Sequence, residues 1–509
     1  GFFAPTSRYG TPDELCTLID ACHAADIGVI FDFVPVHFAV DEYGLKHFDG
    51  TALYESPAAA VGESEWGSCN FMHSRGEIRC FLQSAADYWL RTFHADGLRM
   101  DAVSRLIYWQ GDPARGVNGS TLEFLKNMNQ GLQQRHPTAM LIAEDSSDYL
   151  KVTAPVVYGG LGFDYKWNLG WMHDTLDYFA TPFEQRAGMK NRLLFSMSYF
   201  YNDIFLLPLS HDEVVHGKGS LVNKMPGQTF EDKFANLRAA YGFMMGHPGK
   251  KLLFMGQDFA QMDEWNENAS IEWELLQYPI HSQMKEYVKE LNHLYTSHPA
   301  LYQKDYQTEG FEWINCMDAA DNIIAFLRRG ADETLLFVCN FAPQLHEKLM
   351  VGVPFKGKYK EIFNSDAEKF GGSGKVNPRM KSSKAEECDG KENSITIQLA
   401  PLGISVFSCT PMEPEKKEKP AKTKKTTHST KSVKEKAETD LQSMMAEAAA
   451  VFNGKAGETA AAAAERLAGI SDKLAEAKAG LSSKIISLSS IARRQTGLEE
   501  GLDKKVGKE

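Results

Sequence analysis

A chain of 509 residues exceeds one ordinary domain and can bury a large core. Its 43% hydrophobic and 11% aromatic content is that of a globular protein, and a formal net charge of -12 argues against general nucleic-acid binding while suiting neutral or small substrates. Eight dispersed cysteines without a Cys-x-x-Cys pair indicate neither a zinc site nor a disulfide scaffold; reduced thiols in the cytoplasm are expected, with no metal and no cofactor. No apolar run is long enough to span a bilayer, and the first residues carry no charged-then-apolar signal pattern.

Residues 1–10 read as a loop, and the chain, starting at Gly1 rather than methionine, reads as a fragment. Thr11-Pro12-Asp13-Glu14 is a helix start, with Thr11 as cap and Glu14 three residues on, for a helix to about Ala25. Strands and helices then alternate: a strand from Val29, a helix over 81–93, a strand at Leu98, a helix over 121–136, and a strand at Met140. A strand over 206–209, a helix over 230–245 and a strand over 251–256 follow. Continuous apolar strands alternating with helices predict a parallel sheet covered by helices, a (β/α) barrel occupying 1–298. Acids gather at the strands' C-terminal ends, where such a barrel builds its active site. From 299 to 412 short alternating segments, among them 323–327, 334–340, 394–399 and 404–407, predict a small antiparallel β domain. Residues 413–435 are lysine-rich and read as a disordered linker. Across 436–509 an alanine-rich segment carries a narrow seam, Leu467, Ile470, Leu474, Leu481, Ile485 and Leu488, which suits a self-packed helical hairpin first, and self-association or adhesion to a granule surface second.

The chemistry centres on Arg99 and Asp101 in the run 95–103. At i and i+2 on a strand both side chains face the same way. The guanidinium favours the ionised carboxylate, making Asp101 the better nucleophile. Glu144 follows the apolar residues 139–143, where desolvation raises a carboxyl pKa and suits it as a proton donor. Asp212, beside His211, and His37, closing its own strand, are candidate partners of sugar hydroxyls. A carboxylate that traps an oxocarbenium-like carbon and an acid that protonates the leaving oxygen are what glycosidic cleavage requires.

Residues 32–37, 97–103, Glu144 in its strand and 210–212 resemble the four signature regions of the α-amylase superfamily, and the stretches 32–38, 160–175, 209–218, 250–256 and 264–266 resemble the 1,4-α-glucan branching enzymes in particular. The resemblance covers about 1–411. It implies a (β/α)8 barrel with Asp101 as nucleophile, Glu144 as general acid/base, Asp212 as the third acid, and Asp32, His37, Arg99 and His211 around the sugar at the cleavage point. It also implies a retaining transfer from an α-1,4-glucan to a glucose 6-hydroxyl, with glycogen- or amylose-like glucan as the partner. Trp167 and Trp265, with Tyr165 and Trp171, are candidates for stacking on sugar faces, and Lys218 for touching sugar hydroxyls. A family member carries a β-sandwich carbohydrate module, two more barrel strands and a donor-stacking tyrosine before the Gly1 stretch, so the barrel is expected to lack its first two strands. The rival expectations are an α-glucan hydrolase of the same superfamily and a catalytically impaired glucan-binding protein.

Overall fold

The computed structural model describes residues 1–316 and 322–412. The lysine-rich linker and the alanine-rich tail lie outside the described residues.

Six short parallel strands form the central sheet in strictly sequential order: β1 (Ile30–Phe33), β2 (Gly97–Met100), β3 (Met140–Ala143), β4 (Tyr165–Trp167), β5 (Phe205–Leu209) and β6 (Lys250–Leu253). Sequential parallel order is the barrel pattern, and helices cover one face of the sheet as the alternation of apolar runs demands. The longer helices are α1 (Pro12–Ala24), α2 (Gly76–Thr92), α3 (Gly119–Arg135), α4 (Leu169–Ala180), α5 (Phe230–Gly246) and α6 (Pro279–Ser297). An α-helix follows every strand of the sheet except β3, whose 21-residue connection to β4 holds only a 3-10 turn at Val156–Tyr158. Polar caps set where the helices begin. The Thr11 hydroxyl accepts from the Glu14 amide at 3.3 Å while the Glu14 carboxylate accepts from the Thr11 amide at 2.7 Å, a complete capping box. Asn118, Asn168 and Thr229 cap α3, α4 and α5 in the same way with one side-chain acceptor each.

The register explains the site. Asp32 pairs with Arg99 across β1 and β2, and Arg99 with Ile142 across β2 and β3. One row of inward side chains therefore runs from an acid through a guanidinium into an apolar patch of Ile142, Trp167 and Leu206. The opposite face of the sheet packs on the helices through Leu98, Met100, Leu141 and Ala143, all essentially inaccessible.

The second layer is all β. Strands β7 (Phe311–Asn315), β8 (Ile323–Arg329), β9 (Thr334–Asn340), β10 (His346–Val353), β11 (Gly357–Asn364), β12 (Lys381–Ser382), β13 (Asn393–Leu399) and β14 (Gly403–Pro411) build a six-stranded sheet, ordered β12-β11-β14-β9-β8-β7, and a facing β10-β13 pair. Leu327, Leu336, Val338, Val351, Ile397, Leu399 and Phe407 fill the space between them. The other side of the large sheet lies on the barrel helices, with Phe326 and Phe337 in the same buried cluster as Phe243 of α5 and Tyr287 of α6.

A buried ion pair fastens these layers. The Arg328 guanidinium on β8 donates to the Gly246 carbonyl at 2.7 Å and to Asp305, and Lys250 at the start of β6 reaches the same carboxylate at 3.3 Å. Asp305 and Arg328 have no exposed side-chain surface. Asp305→Ala leaves two cations facing a cavity without a counter-charge, and is expected to cost about 3–5 kcal/mol of stability, read as a lowered denaturant midpoint.

Candidate active site

Three of the acids in the barrel mouth converge on Arg99. Its side chain is 7% exposed, and the guanidinium lies 4.3 Å over the Trp167 ring. Nη1 donates to Asp101 Oδ1 at 2.9 Å and lies 3.4 Å from Asp32 Oδ1, while Nη2 sits 2.9 Å from Glu144 Oε2. The last contact is an ion pair without hydrogen-bond alignment, since Nη2 and Nε are both buried without a hydrogen-bond partner. One cation thus gathers three carboxylates contributed by three adjacent strands. The i, i+2 spacing of Arg99 and Asp101 has its physical basis in this pairing.

Glu144 and Asp101 are each the first residue beyond their strands, and the chain turns sharply at Ala102, whose φ of 47° is left-handed. That conformation is costly for a non-glycine residue, of order 1–3 kcal/mol. It aims the Ala102 amide at Glu144 Oε2, 2.8 Å away, and the Val103 amide at the Glu144 carbonyl, also 2.8 Å. Two opposing sets of forces act on the Glu144 carboxyl. Burial, with the nearby Asp101 and Asp212 carboxylates, raises its pKa, while Arg99 and the Ala102 amide lower it. Burial is the largest of these and wins, pushing the pKa up to about 7. The carboxyl therefore keeps a substantial protonated fraction at neutral pH.

His37 approaches Asp101 from the loop after β1, with Nε2 3.9 Å from Oδ2. Its Nδ1 is engaged by the Ser68 hydroxyl, and its ring meets the edge of Trp66 at 5.3 Å. Burial holds its pKa below the usual imidazole value against the pull of Asp101, with Arg105 lowering it further, so a neutral ring faces the cleft. Across the mouth, His211 Nε2 lies 3.2 Å from Asp212 Oδ1, and the His211 ring is wedged between Phe254 at 5.9 Å and Trp265 at 5.6 Å. The Asp212 side chain is half exposed. Beside His37 a cavity of about 260 Å³ opens, lined in part by Val36, Asn70, Arg105, Trp109 and Gln110.

The structure therefore gathers Asp32, Arg99, Asp101 and Glu144 around one guanidinium, with His37 against Asp101. His211 and Asp212 form a second cluster close enough for Asp212 to act on Glu144 electrostatically. The aromatic candidates divide. Trp167 is only 5% exposed and its ring carries Arg99, so it supports the cation rather than offering a free face. Trp265 braces His211. Trp171 is 1% exposed in the helix-packed core, and Tyr165, at the N-terminal end of β4, packs against Tyr306; neither borders the acids. Trp66 and Ser68, which orient His37, lie in the 34–75 connection, where no periodicity or motif in the sequence marked them; nor did any mark Arg105, just beyond Asp101, whose guanidinium rests 4.2 Å over Trp66. Among the described residues no group of three or more His, Cys, Asp or Glu side chains is placed to hold a metal ion, and no helix is long and apolar enough to cross a membrane.

Residues 313–410 match the family model for the α-amylase C-terminal all-β domain. The chain is 47% identical over 421 residues to a 1,4-α-glucan branching enzyme GlgB of Oceanobacillus iheyensis, covering 80% of this chain and 66% of that protein. It is 46% identical over 409 residues to the GlgB of Geobacillus stearothermophilus, with 80% and 64% covered. The chain thus spans a little under two thirds of the length of these curated relatives. Among solved structures, an α-amylase of Geobacillus thermoleovorans complexed with acarbose superposes with a TM-score of 0.59 at 15% identity, covering 81% of this chain and 84% of that one, which speaks for the fold alone. A cyclomaltodextrinase does so with a TM-score of 0.54 at 17% identity, covering 80% and 64%. On these comparisons, with the barrel and β domain that carry them, four fifths of the chain is similar to the 1,4-α-glucan branching enzymes GlgB, and its β domain matches that of the α-amylases.

Proposed function

We propose that the site is that of a retaining transglycosidase that cuts an α-1,4-glucan chain and rejoins it through a glucose 6-hydroxyl, making an α-1,6 branch. One observation carries the reading. The Arg99 guanidinium donates to Asp101 at 2.9 Å, while burial raises the pKa of its neighbour Glu144 to about 7, so the two carboxyls of one cleft sit in different environments and Glu144 can both give and take a proton near neutrality. Asp101 attacks the anomeric carbon as Glu144 protonates the departing glucan oxygen, leaving a glycosyl ester on Asp101. Glu144, now a carboxylate, takes the proton of the incoming 6-hydroxyl as that oxygen displaces Asp101. Asp32, His37, His211 and Asp212 supply the polar partners for the hydroxyls of the ring being cleaved, and Trp265 contributes through His211. The 47% identity to a branching enzyme over 80% of the chain favours transfer over hydrolysis.

The substrate is glycogen- or amylose-like glucan. The eight cysteines are free, which fits a cytoplasmic protein. The apolar seam of the tail supports self-association or attachment to a glucan granule. The protein incubated with amylose is expected to abolish iodine staining without a matching rise in reducing ends. Both changing together would establish a hydrolase, and neither changing would leave a glucan-binding protein.

A further inference from the structure

Asp212 poses a positioning problem. Its side chain is half exposed, and its ion-pair partner among the described residues is His211, 3.2 Å away. The direction of the carboxylate is therefore set by the backbone of the loop that carries it, and that loop is strained. After the 3-10 turn His211–Val214, three residues in four are left-handed: His216 at φ 59°, Gly217 at 80° and Gly219 at 74°. Such a run points successive amides to one side and makes a concave anion seat.

The seat is filled from within the chain. Glu264, in the loop after β6, accepts from the Gly217 amide through Oε2 at 2.9 Å and from the Gly219 amide through Oε1. Between those two amides lies Lys218, whose Nζ donates to the Asp212 carbonyl at 2.6 Å, and Lys224 donates to the Lys218 carbonyl. The next residue, Trp265, donates its amide to the Val214 carbonyl at 2.8 Å and sets its indole against His211. Glu264 and Trp265 thus form a two-residue clip whose carboxylate holds the far end of the loop and whose backbone and ring hold the near end.

We propose that Glu264 is a positioning residue for the reaction: by seating the Gly217 and Gly219 amides it fixes Lys218 on the Asp212 backbone and keeps the Asp212 carboxylate turned toward the sugar beside Glu144. The proposal rests on the branching reading above. Glu264 acts through the loop and touches no substrate. The two amides hold its carboxyl below the usual glutamate range, so the clip stays closed across the working pH range.

The test uses the full chain with Glu264→Ala, Glu264→Gln and Lys218→Met. The expected result for Glu264→Ala is a ten- to hundredfold lower kcat with KM changed less than threefold. Its alkaline limb moves to lower pH, because an Asp212 carboxylate that swings away no longer raises the pKa of Glu144. A merely structural role would lower Tm and leave that limb where it is. Glu264→Gln keeps one acceptor oxygen and should fall between, which preserves the comparison if the alanine variant does not fold. Combining Lys218→Met with Glu264→Ala should add little to the worse single change, since both break one chain of contacts. A wild-type kcat and an unmoved limb in Glu264→Ala overturn the proposal. If the wild-type protein makes no branches, the branching reading fails instead. Titration of Glu144 by carbon-13 carboxyl NMR then decides the positioning role alone: an unchanged Glu144 pKa in Glu264→Ala overturns it.

Discussion

Asp101→Ala is expected to lower glucan transfer by roughly 10⁴-fold or more, the scale on which a covalent catalyst loses rate when its nucleophile goes. The fold should survive. Arg99 keeps two of its three carboxylates, Asp32 at 3.4 Å and Glu144 at 2.9 Å, so no buried cation is orphaned, and Tm should change little. Glucan binding should survive as well, because Asp32, His37, His211 and Asp212, the proposed hydroxyl partners, are untouched. The void left beside Arg99 also makes a positive test of the role. A small anion such as azide can occupy it and attack the anomeric carbon from the face the carboxylate used, while Glu144 still protonates the departing oxygen. The product is then a glycosyl azide of inverted configuration. Transfer activity near that of the unaltered protein, or recovery by azide with retained configuration, would show that Asp101 is not the nucleophile.

The residues behind this prediction were readable in the sequence because they obey simple periodicities. Two charges at i and i+2 in an apolar strand must share a face, and a glutamate closing an apolar strand must be desolvated; Arg99, Asp101 and Glu144 meet both conditions. The barrel was legible for a similar reason, since β3 and β5 are continuous apolar runs and β2 is interrupted only by Arg99. What stayed hidden depends on interactions distant in sequence. Strand β4 has three residues with Lys166 in the middle, and no hydrophobic rule identifies it; it exists because Lys166 finds Asp145 at 2.8 Å and its amide finds the Ile204 carbonyl at 2.9 Å. Trp167 reads as a sugar platform by residue type, yet tertiary packing gives its face to Arg99. The clip formed by Glu264 was visible as residues but not as a device, because its meaning lies in the left-handed run at 216–219, some 45 residues away. Local pattern reports which face a side chain occupies; it does not report which distant backbone it grips.

Glu144→Gln should separate the two halves of the reaction. General acid–base groups contribute about 10²–10⁴ in rate, and transfer between natural glucan chains is expected to fall within that range. With a substrate whose leaving group needs no proton, such as an α-maltosyl fluoride, attack by Asp101 goes on while the second step lacks its base. The glycosyl ester should then accumulate and be detectable as a mass increment on the peptide carrying Asp101. In the unaltered protein the same residue is expected to set the alkaline limb of kcat/KM, since the proposed role requires the protonated carboxyl and its pKa is about 7, so activity should decline as pH rises through 7. The glutamine variant with the activated substrate should lose that limb. The stability sign is opposite to the activity sign. A carboxyl at about 7 in the folded chain, against an ordinary 4.5, binds its proton more tightly when folded. Its relative contribution is fully present below pH 4.5 and lost as pH rises through 7. Glu144→Gln removes that dependence, so the variant should melt at a higher temperature than the unaltered protein above pH 7, with the gain disappearing toward pH 4.5. A variant destabilised across the whole range would mean that the ion pair with Arg99 outweighs burial at this carboxyl, and the assignment of Glu144 as the neutral partner would fall.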